Sequence, residues 1–184
     1  MAIAVRILGW CAFFLAAGLA PASARAQEFS GATTSGDARV RSGNARLSAL
    51  ITEATDRSPT FKALLASIAE TDGIVFVEAG TCRRGVPACL TWQVTLAGSY
   101  RILFVLLDTR KPELDLMASM GHELQHALEV LADRSLRSTA AIHYFYMHLV
   151  SSESPPRTVE TAAAEATGDA VFREIQRSRS GEKK

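Results

Sequence analysis

Residues 112–133 read PELDLMASMGHELQHALEVLAD, and this stretch decides how the rest of the chain is interpreted. Leucine and methionine recur in it at roughly 3.6-residue spacing, which is typical of a helix with one buried face. The stretch also holds two of the four histidines of the chain, His122 and His126. Because residues four apart on a helix lie one above the other on the same face, we expect the two imidazoles to be able to bind one metal ion.

Glu123 follows the first of these histidines and lies about 100° further round the helix. From there its carboxylate can reach a water molecule on the metal without binding the metal itself. Zinc lowers the pKa of such a water to about 7, and a neighbouring carboxylate can accept its proton as attack on a carbonyl begins. The spacing therefore indicates a hydrolytic metal site with Glu123 as general base. The alternative is an ordinary helix with three polar residues on its solvent side.

Residues 1–26 have the pattern of a secretory signal peptide. Arg6 precedes an almost wholly apolar run over residues 7–20, and Pro21 ends that run just before small residues that suit signal peptidase. The run is short for a membrane span, so we expect cleavage and export to the periplasm or the exterior. The alternative is an uncleaved N-terminal anchor.

The composition of the remaining chain excludes some classes of partner. Loss of residues 1–26 removes Arg6 and Arg25 and leaves 18 basic and 19 acidic residues, a formal charge of −1. This balance indicates neither nucleic-acid binding nor a stable association with a membrane surface. We expect one domain at 45–178, between a flexible mature N-terminus at 27–44 and a polar tail at 179–184. The sequence leaves the oligomeric state open.

Cys82 and Cys89 are the only cysteines that remain after Cys11 is removed with the signal peptide. In an exported protein we expect them to form a disulfide that closes the loop between them. Metal binding by the two thiolates is the alternative, but their spacing is unlike that of a zinc knuckle.

Two helices and then a sheet are predicted before residue 112. The helices are expected at 45–57 and 58–71, and the strands at 74–78, 89–96 and 100–108. Ser58 and Pro59 provide an N-cap and a first-turn proline for the second helix. We interpret the strands as a small antiparallel sheet in which strand 100–108 is the edge that an extended peptide can join. An internal position for this strand is the alternative.

Two later segments carry further candidates. Residues 139–150 are predicted to form an aromatic helix, and residues 157–177 another helix with two possible metal ligands, Glu160 and Glu165. Because these glutamates are five positions apart, about 140° on a helix, only one of them can face the metal. The aromatic segment offers four candidates for the donor that stabilises the oxyanion of a tetrahedral intermediate, although core packing is the alternative for each. They are His143, Tyr144, Tyr146 and His148.

The His-Glu-x-x-His stretch resembles the signature of zinc metallopeptidases of the zincin fold. The metzincin extension would require glycine and histidine where this chain has Glu129 and Ala132. The chain instead resembles gluzincins such as thermolysin and the CAAX prenyl proteases, in which a glutamate on a later helix is the third ligand. The resemblance implies an α+β, zincin-like fold, with a small antiparallel sheet packed beside the HExxH helix and a downstream Glu-bearing helix.

Both downstream glutamates match a gluzincin pattern. Glu160 begins a stretch similar to the E-x-x-A of CAAX-protease-like enzymes, whereas Glu165 and Asp169 resemble the E-x-x-x-D of the thermolysin family. The stretch after Glu160 also resembles the last helix of small secreted bacterial minigluzincin-like proteins, which favours Glu160. With that choice, Ala164 stands where related families have an aspartate, so the usual partner of a ligand histidine is missing or supplied elsewhere.

The resemblance implies an exported zinc-dependent peptidase that acts on a peptide or protein substrate. One zinc ion would be bound by His122, His126 and Glu160, with Glu123 activating the water. An alternative of a different class is a catalytically inactive, metal-stabilised binding module of the same fold.

Overall fold

The computed structural model describes residues 38–82, 86–149 and 160–182, and the predicted signal peptide lies outside these ranges. Within them the chain is α+β, with five helices and a small mixed sheet. The strands are β1 (Val40–Arg41), β2 (Gly73–Ala79), β3 (Ala88–Leu90), β4 (Thr95–Ala97) and β5 (Tyr100–Leu107). The helices are α1 (Ala45–Arg57), α2 (Pro59–Ala69), α3 (Glu113–Ala132), α4 (Thr139–Leu149) and α5 (Ala162–Gly181).

Helices α1 and α2 begin where the sequence predicts. The side chain of Asn44 accepts a hydrogen bond from the amide of Leu47, and Ser58 Oγ accepts one from the amide of Phe61 at 3.0 Å. These caps satisfy amides that have no partner within the helix. The bounds of α1 and the Ser58–Pro59 start of α2 are therefore confirmed, while α2 ends two residues before the predicted position.

The prediction of an antiparallel sheet is wrong. The strand order of the observed sheet is β1-β2-β5-β3, with β4 also paired to β5. Strands β1, β2 and β5 run parallel to one another, and only β3 and β4 run antiparallel to β5. After β2 the chain returns along the far side of β5 and turns at Gly98, which has a φ of 60°. Strand β5 then enters between β2 and β3 and must run parallel to β2.

Strand β5 is internal, so the prediction that it forms the edge is also wrong. Strand β2 lies on one side of it, and β3 and β4 share the other side at opposite ends. The predicted continuous strand 89–96 is divided in two, because Trp92 leaves the sheet and stacks on Tyr146 of α4 with ring centroids 5.9 Å apart. The short strand β3 is therefore the outer strand nearest to α3.

The hydrophobic core lies between the sheet and the helices. Alternate side chains of β2 and β5 are fully buried, as a half-buried sheet requires, and they face apolar residues of α3. The buried strand residues include Val75, Val77, Leu103, Val105 and Leu107, and those of α3 include Leu116, Met117, Met120 and Leu124. This packing fixes one face of α3 on the sheet and leaves the opposite face for α5.

A buried arginine fastens the C-terminal end of α3 to the sheet. Arg101 of β5 is fully buried and donates to both carboxylate oxygens of Asp72, with Nη2 at 2.6 Å from Oδ1. Its Nη1 and Nη2 atoms also donate to four carbonyl oxygens at 2.7–3.2 Å, those of Val130, Leu131, Asp133 and Leu136. The last carbonyls of a helix lack partners within the helix and carry partial negative charge. The Arg101 guanidinium provides both the hydrogen-bond donors and the positive charge that complement them.

Helices α3 and α5 pack very closely at two glycines. A Cβ atom added to Gly168 would lie 3.2 Å from the Cβ of His122, and one added to Gly121 would lie 2.9 Å from a methyl of Val171. Real side-chain contacts are rarely so short, so the absence of a Cβ at these two positions lets the helices approach this closely. The close approach brings the start of α5 beside the first histidine.

Helix α5 begins later and ends later than predicted. Thr161 is its N-cap and accepts a hydrogen bond from the amide of Ala164 at 3.1 Å. Glu160 therefore lies just before the helix, so the argument from helical angle between the two glutamates does not apply. At the other end, the helix includes residues 179–181, which were predicted to belong to a polar tail.

The structure contains the predicted disulfide between Cys82 and Cys89, with an S–S distance of 2.04 Å. Among the described helices, none combines the length and the apolar character that a membrane crossing needs. Both features are compatible with the predicted export.

Candidate metal centre

His122, His126 and Glu160 meet where α3 passes the segment before α5. Nε2 of His122 lies 2.8 Å from Oε2 of Glu160, and Nε2 of His126 lies 3.9 Å from the same oxygen. One ligand atom from each of the three residues lies within 4.8 Å of the others. Ligand atoms around a tetrahedral zinc ion, at bond lengths of about 2.1 Å, are about 3.4 Å apart. The two measured distances bracket that value, and the donor set is one that zinc binds, so these residues fit a metal ion.

The α-helical geometry of α3 provides the first two of these groups. The rings of His122 and His126 lie 4.9 Å apart between centroids, as expected for residues one turn apart. The side chain of His126 is 7% exposed, whereas that of Glu160 is 42% exposed. The group is therefore closed on the α3 side and accessible on the side of Glu160.

Glu165, the alternative third ligand, is not part of this group. It is exposed in the first turn of α5 and lines the cavity beside His122. Among the described residues, the structure thus brings Glu160, and not Glu165, to the two histidines.

The carboxylate of Glu123 is buried beside the histidines. It is 8% exposed, and its Oε2 accepts a hydrogen bond from the amide of Leu90 at 2.6 Å. Burial raises the pKa of Glu123, and this effect outweighs the opposing influence of the two imidazoles and the Leu90 amide. A carboxyl whose pKa is shifted towards neutrality is suited to accept and release a proton. Since Leu90 belongs to β3, the outer strand holds this carboxylate in place.

His126 has a carboxylate partner on its own helix. Its Nδ1 lies within hydrogen-bond distance of Oε2 of Glu129, at 3.1 Å, and Oε1 of Glu129 accepts a hydrogen bond from Thr161 Oγ1 at 2.7 Å. Glu129 thus supplies the partner that the sequence lacks at Ala164, which is buried. The i, i+3 spacing of His126 and Glu129 is visible in the sequence, but the part played by Thr161 depends on the packing of α5.

The hydrogen bond between His126 and Glu129 affects the pKa of both side chains. Burial alone would raise the pKa of Glu129, but the hydrogen bonds from His126 and Thr161 outweigh it and the net pKa is lowered. Burial alone would lower the pKa of His126, but the hydrogen bond to Glu129 and the nearby carboxylates raise the net pKa. Glu129 is therefore an ionised acceptor at neutral pH.

The four candidate oxyanion donors lie on α4 in different environments. Tyr146 is buried, and its hydroxyl donates to the backbone carbonyl of His126 at 3.1 Å. His143 is exposed and contacts the edge of the Trp92 ring, while Tyr144 and His148 are exposed and pack on each other. Tyr146 therefore supports the backbone of α3 at the second histidine, and its hydroxyl is already engaged there.

A cavity of about 500 Å³ opens beside His122 and Glu123. Residues 86–88 form one wall, and α5 forms the opposite wall with Gly168 and Phe172. In the register of β3 on β5, the backbone groups of Ala88 and Leu90 point away from β5. No strand among the described residues pairs with that outer edge. The outer edge of β3 at Ala88 thus borders the cavity and carries no paired strand among the described residues, while the Leu90 amide on the same edge is engaged by Glu123.

Comparisons of this chain with family models, with curated proteins and with solved structures find no match. Its functional interpretation therefore depends on the residues and geometry described above.

Proposed function

We propose that this chain is an exported zinc-dependent peptidase of the gluzincin type, with His122, His126 and Glu160 as the metal ligands. The observation that carries the proposal is that three ligand atoms from two distant segments lie within 4.8 Å of one another. The HExxH pattern alone accounts for two of the ligands, whereas the third comes from a separate segment that folding brings to them. A buried carboxylate, Glu123, lies beside this group.

Different residues of the chain would bind the metal and transfer the proton during peptide hydrolysis. His122, His126 and Glu160 would hold a zinc ion, which would supply a bound water whose pKa is lowered to about 7. Glu123 acts as general base, takes a proton from the attacking water and passes it to the leaving amine. The Leu90 amide holds its Oε2 atom, so Oε1 is the oxygen that would accept the proton.

We place the peptide substrate along the outer edge of β3. The backbone of Ala88 points away from β5 and borders the cavity, so an extended peptide can pair with it as an added strand. Such a peptide would run past Glu123 and the histidines of α3. Side chains of the peptide would enter the cavity between residues 86–88 and α5.

Substitution of Glu123 tests this mechanism directly. The variant Glu123→Gln keeps the size of the side chain but cannot accept the proton, so zinc content should be unchanged and peptide cleavage should fall by about 10²–10⁴-fold. Glu165→Gln is the matched control, because Glu165 lines the same cavity but lies outside the metal-binding group. Cleavage by Glu123→Gln at the wild-type rate would refute the role of Glu123.

A second candidate function is a metal-stabilised binding module without turnover. The favouring observation is that the buried candidate for the oxyanion donor, Tyr146, already donates its hydroxyl proton to the His126 carbonyl. Removal of the metal by a chelator separates the two candidates. A peptidase loses cleavage and regains it when zinc is restored, whereas a binding module shows a lower melting temperature on chelation and no cleavage at any zinc concentration.

A further inference from the structure

A chain of hydrogen bonds links the start of α5 to the second histidine of α3. The amide of Ala164 donates to Thr161 Oγ1, and Thr161 Oγ1 donates to Oε1 of Glu129. The other oxygen of Glu129, Oε2, lies 3.1 Å from Nδ1 of His126. Thr161 is adjacent to Glu160, so this chain connects the two segments that carry the proposed metal ligands.

The direction of each hydrogen bond in the chain is fixed by chemistry. Thr161 Oγ1 accepts from the Ala164 amide, so its own proton is free to point at Glu129. An ionised carboxylate can only accept, so Nδ1 of His126 must carry a proton. In neutral imidazole the other nitrogen then has a free lone pair, and Nε2 of His126 is the atom that faces Glu160.

We propose that Glu129, held in place by Thr161, locks His126 in the tautomer that can bind a metal through Nε2. Both are positioning residues, because they act through His126. The purpose of the lock depends on the proposed metal site, but the tautomer itself can be measured in metal-free protein.

Glu129 and Thr161 have different parts in this arrangement. Either oxygen of an ionised carboxylate can accept from Nδ1, so Glu129 selects the tautomer. Thr161 caps α5 and donates to Oε1 of Glu129, so the segment that carries Glu160 docks against the carboxylate that holds His126. The site is thereby arranged for metal before a metal arrives.

The variant Glu129→Gln tests the lock because an amide has one donor end and one acceptor end. The Thr161 hydroxyl would hold the glutamine carbonyl, which turns the NH₂ group towards Nδ1 of His126. Nδ1 must then accept and the proton moves to Nε2. We expect ¹⁵N imidazole shifts of metal-free protein, recorded above the titration range of histidine, to show this switch. We also expect zinc affinity to fall by about 10–100-fold.

The double variant Glu129→Gln with Thr161→Val separates the lock from general stability. Without the hydroxyl, the glutamine can turn round and accept from Nδ1, so the wild-type tautomer should return. Zinc affinity of the double variant should then exceed that of Glu129→Gln, although loss of the N-cap lowers its melting temperature. Thr161→Ser keeps the hydroxyl and should preserve both the tautomer and the zinc affinity.

A matched control exists on the other side of α5. Thr60 Oγ1 donates to Oε1 of Glu174 at 2.7 Å, the same distance as from Thr161 to Glu129. The control variants Thr60→Val and Glu174→Gln should change the melting temperature only and leave the His126 tautomer and zinc affinity as they were.

Three results would overturn the proposal. They are an Nε2-protonated His126 in the metal-free wild type, an unchanged tautomer in Glu129→Gln, and a double variant that binds zinc more weakly than Glu129→Gln. Failure of the wild type to cleave peptides would instead count against the proposed peptidase, since the tautomer measurement requires neither metal nor substrate.

Discussion

Replacement of Arg101 by methionine is expected to remove a large part of the stability of the metal-free protein. In the native structure this guanidinium is fully buried, forms an ion pair with Asp72 and donates to four carbonyls at the end of α3. Methionine fills much of the same volume but donates to none of them. Removal of one partner of a buried ion pair costs about 3–5 kcal/mol. Here the carbonyls would lose their buried donor, and Asp72, whose side chain is 19% exposed, would keep only the weaker contact with Arg137 at 3.7 Å.

That cost is large compared with the total stability of a domain of this size, about 5–15 kcal/mol. With an m-value of about 2 kcal/mol per M, a loss of 4 kcal/mol lowers the urea midpoint by about 2 M. The assay is equilibrium urea unfolding of wild type and Arg101→Met after treatment with a chelator. Arg101→Lys should recover only part of the loss, because a single ammonium group cannot reach all of these acceptors.

Arg110→Met is the matched control for this experiment. Arg110 also pairs with an aspartate at 2.7 Å, but its side chain is 81% exposed and screened by solvent, so its loss should leave the urea midpoint almost unchanged. If Arg101→Met unfolds at the same urea concentration as Arg110→Met, the inference that Arg101 fastens α3 to the sheet is wrong.

Three further predictions concern the disulfide, the contact between α3 and α5, and the contact between α2 and α5. Replacement of Cys82 and Cys89 by serine should lower stability by about 2–3 kcal/mol from loop closure alone and raise KM for peptides more than it lowers kcat; an unchanged KM would contradict a substrate position along β3. Gly168→Val should force α5 away from α3 and weaken zinc binding, as read by competition with a chromogenic chelator, whereas Gly181→Val, with open space around it, should leave zinc affinity unchanged. The pKa of Glu174 is lowered, because hydrogen bonds from α2 outweigh the effect of its burial. The ionised carboxylate therefore stabilises the folded protein above the unfolded-state pKa, and this stabilisation is lost as the pH falls through the lower folded-state pKa. Urea midpoints measured across the acid range should therefore fall less steeply in Glu174→Gln, and an identical slope would contradict the assigned hydrogen bonds.

The elements predicted well from the sequence are those specified by local interactions. The start of α2 follows from Ser58 and Pro59, and α1 has the predicted bounds. His122, Glu123 and His126 belong to one helix, so the spacing alone determines how they lie relative to one another.

The features missed from the sequence depend on pairing between distant segments. Strand β1 has only two residues and exists because it pairs with β2, so no periodic pattern marks it. The parallel pairing of β2 and β5 depends on the side of β5 along which the intervening chain returns. Trp92 divides a segment of good strand pattern because its ring packs on α4 instead.

In the candidate site, too, the features missed from the sequence are those that depend on how distant segments pack. The sequence could not show that Glu160 precedes its helix, since that follows from Thr161 being the cap. The family pattern places the aspartate partner of a ligand histidine at the position of Ala164, whereas the carboxylate beside His126 is Glu129, on the same helix as the histidine.

The disulfide also limits how β3 can move. Cys82 follows β2 and Cys89 lies in β3, so the bond spans the end of the central strand, where Cys82 Sγ lies 3.8 Å from the carbonyl oxygen of Leu106. A three-residue outer strand would ordinarily fray, since few backbone bonds hold it. Here the disulfide joins it to the segment that follows β2, so opening of this edge requires that segment to move as well. The Leu90 amide, and with it the orientation of Glu123, should therefore persist at temperatures that already loosen the ends of the chain.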